Sequence, residues 1–578
     1  MKINNTKDTL NRIWKYLKKQ KTALVLVVGI VIITSILSLL APYLMGLAID
    51  NILNKDIDKT LKTLIMLLSV FLLNSFFTWM QTYIMVIVSQ NTIRDIRKDL
   101  FSKFQELSLR FFDKHNQGDL MSRVTNDIDN INAALTQSVV TIMSILISVV
   151  GIVIVMFYLN WIMAITSLIT IPLIVLITKL VGNYTKKAFE KRQKYLGDLN
   201  GYIEETISGT EIITLFGKEE DVLDEFIAKN NYLKESSLKS EILSGIIHPL
   251  MNFVNNLGFG VVVLVGGYLT LNGAATIGTI TSFVNYSREI AKPLNQVATL
   301  YNTILAAIAG SERVFEIMDE VVDIVDKKYA KEVNELKGDV EFKDVSFGYD
   351  ENKIILKNIK LHAKPGQTIA LVGPTGSGKT TIINLLTRFY DIYSGEIKID
   401  GLNIKDYKVD SLRKNIGIVL QDTYLFSGTI KDNIRYGRLD ATDNEVIEAA
   451  KLANAHSFIK HLPNKYNSVI SSQGDNLSHG QRQLISIARA ILSNPDILIL
   501  DEATSNIDTR TELQIQSGLN NLMKGRTSFV IAHRLKTIEM ADKILVIKNG
   551  EVIEQGNHNS LLDKKGFYYE LYISQFKI

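Results

Sequence analysis

The sequence predicts two unlike halves: a membrane bundle of six α-helices, then an α/β domain of the P-loop type. Three observations predict it. The first half carries six runs of about 20 mostly apolar residues, the length that crosses a bilayer. Beyond Gly338, Val- and Ile-rich strands alternate with helical stretches. Within that second half stands a complete phosphate-binding loop, Gly373-Pro-Thr-Gly-Ser-Gly-Lys-Thr380. The 578 residues suit two large domains. Composition averages, 47% hydrophobic and 21% charged, discriminate poorly; the bunching of apolar residues in the first half discriminates well. The reading assigns 1–22 to a lead-in helix, 23–320 to the membrane region, 321–338 to a linker and 339–578 to the α/β domain.

Several classes are excluded early. A net charge of +4 is too small in so long a chain for a nucleic-acid binder. The absence of cysteine rules out a disulfide framework, a thiolate zinc site and a cysteine nucleophile. Met1 to Lys21 lacks a signal-peptide layout, since its apolar residues are dispersed. High Lys, Ile and Asn usage is the pattern of an AT-rich bacterial genome; together with the membrane spans, the expected location is a bacterial cell (inner) membrane.

The lead-in places Leu10, Ile13, Trp14 and Leu17 at helical spacing with lysines opposite, the pattern of a helix lying in the membrane surface. The spans follow: Ala23 to Gly46, Leu64 to Val88, Ser138 to Leu159, Trp161 to Val181, Ile246 to Leu271 and Ile277 to Tyr301. Lys and Arg set the orientation. Seven precede Ala23, seven lie between Arg94 and Arg123, and ten between Lys179 and Lys239. The opposite loops are poor in net charge, so both termini and the two long loops are expected in the cytoplasm. Each long loop is expected to break into a short transverse helix: one within Leu109 to Leu120, one near Gly197–Gly201.

The sixth span is the most polar, with Arg288, Glu289, Lys292, Asn295 and Gln296 in its later part. Asn252, Asn255 and Asn256 make a similar patch in the fifth. Ionisable groups cost about 2.5–3.5 kcal/mol at a membrane centre on insertion scales. Such groups line a wet cavity or snorkel to the interface, and the sequence leaves both readings open. Pro249 and Pro293 are candidate kinks.

In the second half, the loop at Gly373, Pro374, Thr375, Gly376, Ser377 and Gly378 follows the strand Thr368–Val372 and opens the helical run of Lys379, Thr380 and Thr381. That context is what a phosphate cradle needs: backbone N–H groups curl into a nest and the helix offers its positive end. Lys379 suits the β- and γ-phosphates and Thr380 suits Mg²⁺. Ile497-Leu-Ile-Leu-Asp-Glu502 is an apolar strand ending in two carboxylates. Asp501 suits the Mg²⁺ shell, and Glu502 a general base for an attacking water.

Leu477-Ser-His-Gly-Gln-Arg-Gln-Leu484 resembles the LSGGQ signature of ATP-binding-cassette (ABC) ATPases. The family's other motifs stand in order: Tyr349 in VSFGYD, Gln421 in IVLQD, Ser505-Asn-Ile-Asp508 and His533 in VIAHR. The resemblance covers essentially the whole chain, as a membrane region fused to one ATPase domain in the exporter pattern. It implies ATP and Mg²⁺ as cofactors. Tyr349 would stack on adenine, Gln421 sense Mg²⁺ and the membrane region, and His533 contact the γ-phosphate. Ser478, His479, Gly480, Gln481 and Asp508 would face nucleotide across a dimer interface. One ATPase domain per chain implies a dimer with a second half-transporter, exporting a small molecule or lipid through surrounding membrane lipid. The resemblance implies an amphipathic cargo of the multidrug type; the alternatives are a lipid or peptide exporter, or an ATP-gated channel or sensor on the same scaffold.

Two departures stand out. His479 occupies the signature's first glycine position, where an imidazole crowds the contact with a partner's nucleotide. Ser471-Ser-Gln-Gly-Asp-Asn476 lacks the Glu-Arg pair common there. An intact phosphate loop, Asp501, Glu502 and His533 beside an altered signature is similar to one subunit of heterodimeric bacterial multidrug exporters. The resemblance therefore implies a partner different from the chain itself.

Overall fold

The computed structural model describes residues 6–350, 353–421, 423–471, 474, 476–502, 508–532 and 535–576. The chain divides into two compact units. One comprises Met1–Gln105 with Gly118–Glu320, the other Glu106–Gln117 with Val321–Ile578.

The first unit is helical. Among the described residues, four helices are long and apolar enough to cross a membrane: Lys21–Leu53, Ile57–Glu106, Gln117–Leu159 and Glu219–Leu271. They contain the first, second, third and fifth expected spans. The fourth is divided at Ile169 between helices Trp161–Leu168 and Thr170–Ser208, and the sixth opens the helix Ile277–Asp319. Helix Ile57–Glu106 has 50 residues. At 1.5 Å per residue it spans roughly 75 Å, more than twice a hydrocarbon core, so much of it lies outside the bilayer.

The lead-in is a helix, Thr6–Lys18, and its apolar stripe splits in two. Ile13 and Leu17, four residues apart, are buried with Thr9. Leu10 and Trp14 lie about 100° around the helix and are 49% and 56% exposed. Arg12 pairs with Asp319 and sits 4.2 Å over the Phe315 ring. Tyr16 donates to Asp99 at 2.8 Å, and Lys19 pairs with Asp95 at 3.2 Å. The inward face is therefore spent on the protein, and only Leu10 and Trp14 are left for lipid.

The second loop corrects an expectation. Helix Thr170–Ser208 runs unbroken through Gly197 and Gly201, and the short helix is Thr210–Leu215. A mid-helix glycine costs only about 1 kcal/mol, which a long helix absorbs. The stop comes at Gly217, one residue past the cap Phe216, with φ +60°. The first break falls as expected, giving the helix Leu109–Lys114.

In the second unit, a six-stranded sheet runs in the order 551–556, 543–548, 368–372, 527–532, 497–502, 416–419. All pairings are parallel except that of the edge strand Glu551–Gly556. Both faces are buried, so alternate residues feed two cores. Ala370, Val372, Leu498, Leu500, Val530, Ile544 and Val546 enter one. Ile369, Leu371, Ile497, Ile499, Phe529, Ile531, Leu545 and Ile547 enter the other. A four-stranded antiparallel sheet, in the order 356–363, 340–347, 394–399, 402–403, covers the second core. The stretch from Val321 to Gly338 is held against this fold. Arg388, 2% exposed, donates to the Val325 carbonyl at 3.4 Å, and Leu336 is buried in the second core.

Candidate functional site

In a parallel sheet the loops at the carboxyl ends of adjacent strands share one edge. Strand Thr368–Val372 delivers the phosphate loop there, beside strand Thr527–Ala532, whose other neighbour is Ile497–Glu502. Register pairs Ile531 with both Leu371 and Asp501. Strand Ile416–Val419 comes next, just before the exposed Gln421. Three sequence-distant motifs thus meet at one sheet edge. His533 and Ser505–Ile507 lie outside the described residues, as do Ser472, Gln473 and Asp475 and the side chains of Glu502, Lys292, Pro293 and Asn295.

The loop's geometry follows from its glycines. Gly373 has φ +157° and Gly378 φ +104°, and a Cβ on either would meet the Ile547 carbonyl oxygen at 2.1 Å or Leu356 at 2.5 Å. Gly378 caps the helix Lys379–Leu386 without any side-chain bond, so its first N–H groups have no side-chain acceptor at the cap. Lys379, 7% exposed, curls back and donates to the carbonyls of Gly373 at 2.8 Å and Pro374 at 2.9 Å. Burial pushes its ammonium below the usual lysine range, and the Asp501 charge works against that. Ser377 is 4% exposed and its Oγ is buried with no partner. Pro374, Thr375, Gly376 and Thr380 are exposed, whereas Thr381 is buried.

Tyr349 stands edge-on to Tyr390, with ring centroids 5.0 Å apart. Its hydroxyl accepts from Asn384 Nδ2 at 3.2 Å and lies 3.4 Å from Thr381 Oγ1, which ties the ring to the helix of the phosphate loop. The sequence singles out Tyr349 alone. Asn384 and Tyr390 carry no motif, and the T-shaped pairing arises only in the folded sheet.

The signature segment is built differently. Ser478 caps the helix His479–Ser493 through a reciprocal box: its Oγ accepts from the Gln481 N–H at 3.2 Å, and Gln481 Oε1 accepts from the Ser478 N–H at 3.1 Å. Gly480 is buried and His479 half-buried, and His479 Nδ1 has no hydrogen-bond partner. Asp508 caps the helix Thr509–Met523, accepting from the N–H groups of Arg510 at 3.1 Å and Thr511 at 2.9 Å. The bonds to Thr511 are the main reason its carboxyl lies below the usual range. Among the described residues no group of three or more His, Cys, Asp or Glu gathers to cage a metal. Thr380, Gln421 and Asp501 are a sparse, hard-oxygen set, which suits Mg²⁺, an ion that keeps waters and takes substrate phosphate oxygens.

Residues 24–291 match the ABC transporter transmembrane region family, and residues 356–505 match the ABC transporter family. The chain is 49% identical over 577 residues to an uncharacterized ABC transporter ATP-binding protein, YfiC, of Bacillus subtilis, covering 100% of this chain and 96% of that one. It is 40% identical over 516 residues to a fatty acid ABC transporter ATP-binding/permease protein of Mycobacterium bovis, covering 89% and 82%. Among solved structures, a bacterial Atm1-family ABC exporter with ATP bound superposes with a TM-score of 0.78 at 29% identity, covering 96% of this chain and 98% of that one.

Proposed function

The chain belongs to the ABC transporter family, and from that premise we propose that it is half of a heterodimeric exporter of amphipathic compounds. It is an ABC exporter with an ATPase domain that binds ATP with Mg²⁺, and its fold implies dimerisation. In the proposed site, the backbone of Gly376 to Thr381, the Ser377 hydroxyl and Lys379 hold the phosphates. Thr380, Gln421 and Asp501 hold Mg²⁺, which, when bound, neutralises charge on the phosphate oxygens. Glu502 accepts a proton from the attacking water, His533 orients the γ-phosphate, and Tyr349 receives the adenine. Ser478, His479, Gly480, Gln481 and Asp508 face the partner's nucleotide.

The cargo reading is carried by one cavity of about 190 Å³ in the helical unit. Ser38, Thr141, Ser144, Ser148, Glu289 and Gln296 line it beside Leu39, Ile145, Ile152 and Tyr286. Hydroxyls and a carboxylate set among aliphatic and aromatic groups match a molecule that is itself part polar, part apolar. Arg288 points elsewhere, 5.9 Å over the Phe259 ring. Lys and Arg placement supports an orientation with both termini and the ATPase domain in the cytoplasm of a bacterial inner membrane.

His479 supports a partner of a different sequence, one whose own signature completes this chain's phosphate loop. The test is reconstitution into vesicles, alone and with a second half-transporter. Uphill, ATP-dependent transport of an amphipathic dye is expected only with the second chain. Robust transport by the chain alone refutes the heterodimer, and passive ATP-gated flux points to a channel.

A further inference from the structure

The residues from Glu106 to Gln117 leave the helical unit and pack with the ATPase fold. Within that unit Ser108 donates to Asp323 at 3.1 Å, and the Tyr390 hydroxyl donates to the carboxylate of Asp113 on the helix Leu109–Lys114. Tyr390 is 5% exposed, and the other side of its ring meets the Tyr349 ring at 5.0 Å and 85°. Phe347 backs both rings, 5.2 Å from Tyr349 and 5.7 Å from Tyr390. Aromatic rings in a close-packed cluster move together, because a gap forfeits their contacts. Burial, then the Asp113 bond, pushes the Tyr390 hydroxyl well above the usual phenol range, so it stays a donor at any physiological pH.

We propose that Tyr390 is a positioning residue that reports occupancy of the Tyr349 ring to the loop helix Leu109–Lys114 through its bond to Asp113. The proposal rests on the reading of Tyr349 as the adenine platform. It makes the nucleotide's ring, and not only its phosphates, something the loop between the second and third membrane helices responds to. A ring laid on Tyr349 fixes that side chain, Tyr349 fixes the edge of Tyr390, and the hydroxyl bond fixes Asp113. A deletion at one such link changes the coupling between two sites rather than either site alone.

The full chain contains no cysteine, so Lys114→Cys, at an exposed position, accepts a single environment-sensitive fluorophore per chain. MgATP is expected to shift its emission. Tyr390→Phe, which keeps the ring and removes one hydroxyl, should cut that shift at least about threefold while leaving the ATP Kd within about twofold. Magnesium tripolyphosphate fills the phosphate loop without supplying a ring, and it should give only the smaller shift in the labelled chain. Asp113→Ala tests the same bond from its exposed end if Tyr390→Phe folds poorly. A full shift in Tyr390→Phe or Asp113→Ala, or a full shift with tripolyphosphate, overturns the relay. An unchanged ATP Kd in Tyr349→Ala overturns the premise instead, so the two failures are told apart.

Discussion

Two helix starts in the ATPase unit can be set side by side. The helix Lys379–Leu386 begins at Gly378, which bears no side chain and so makes no side-chain cap bond to the first N–H groups. The helix His479–Ser493 begins at Ser478, whose hydroxyl and the Gln481 amide satisfy each other's backbone partners. Both ends carry the positive end of a helix dipole. The first leaves its donors to an incoming anion and is held in shape by backbone that only glycine tolerates. The second is complete without a ligand and presents His479 at its first turn. The proposed binding end and the proposed contacting end thus differ in whether a side chain caps the helix.

The largest expected effect separates binding at the first helix from chemistry at the neighbouring strand. Glu502→Gln should lower ATP turnover by about 10²–10⁴-fold, the usual worth of a general base, and leave ATP binding in place. Normal steady-state hydrolysis in that variant would falsify the base assignment. Lys379→Ala should weaken ATP by about 10–100-fold, the range for losing a charged hydrogen-bond donor, in a titration with a fluorescent analogue. Unaltered affinity would mean that the nest alone holds the phosphates.

The smaller effects bear on the caps themselves. Gly378→Ala forces a side chain to φ +104° against Leu356, and it should cost about 1–3 kcal/mol in nucleotide-free unfolding. Ser478→Ala opens the capping box and should cost about 1 kcal/mol. If neither variant unfolds more readily than the parent chain, neither the glycine start nor the capped start carries the energetic weight assigned to it.

Much of the proposed site is written locally. Eight consecutive residues, 373–380, form the loop proposed as the phosphate nest, and Asp501 and Glu502 close a strand whose apolar run marks it as buried. The short helix at Leu109–Lys114 was legible for the same reason, since Asn116 to Gly118 break helical pattern within a few residues. The second loop misled: Gly197 and Gly201 are written like breaks, yet their long helix continues, and the turn waits for a left-handed glycine at 217. The lead-in stripe was right in period and incomplete in meaning, because two of its four apolar residues face protein.

The sequence by itself determined the two-part architecture, the ABC family and the loop proposed to meet phosphate, because each rests on runs of adjacent residues whose period or backbone shape is intrinsic. Only the tertiary structure decided that Glu106–Gln117 belongs with the ATPase fold and that Tyr390 stands between Tyr349 and Asp113. Those contacts join positions 277 and 41 residues apart, and no local propensity encodes a pairing that exists only after strands and loops have closed on one another.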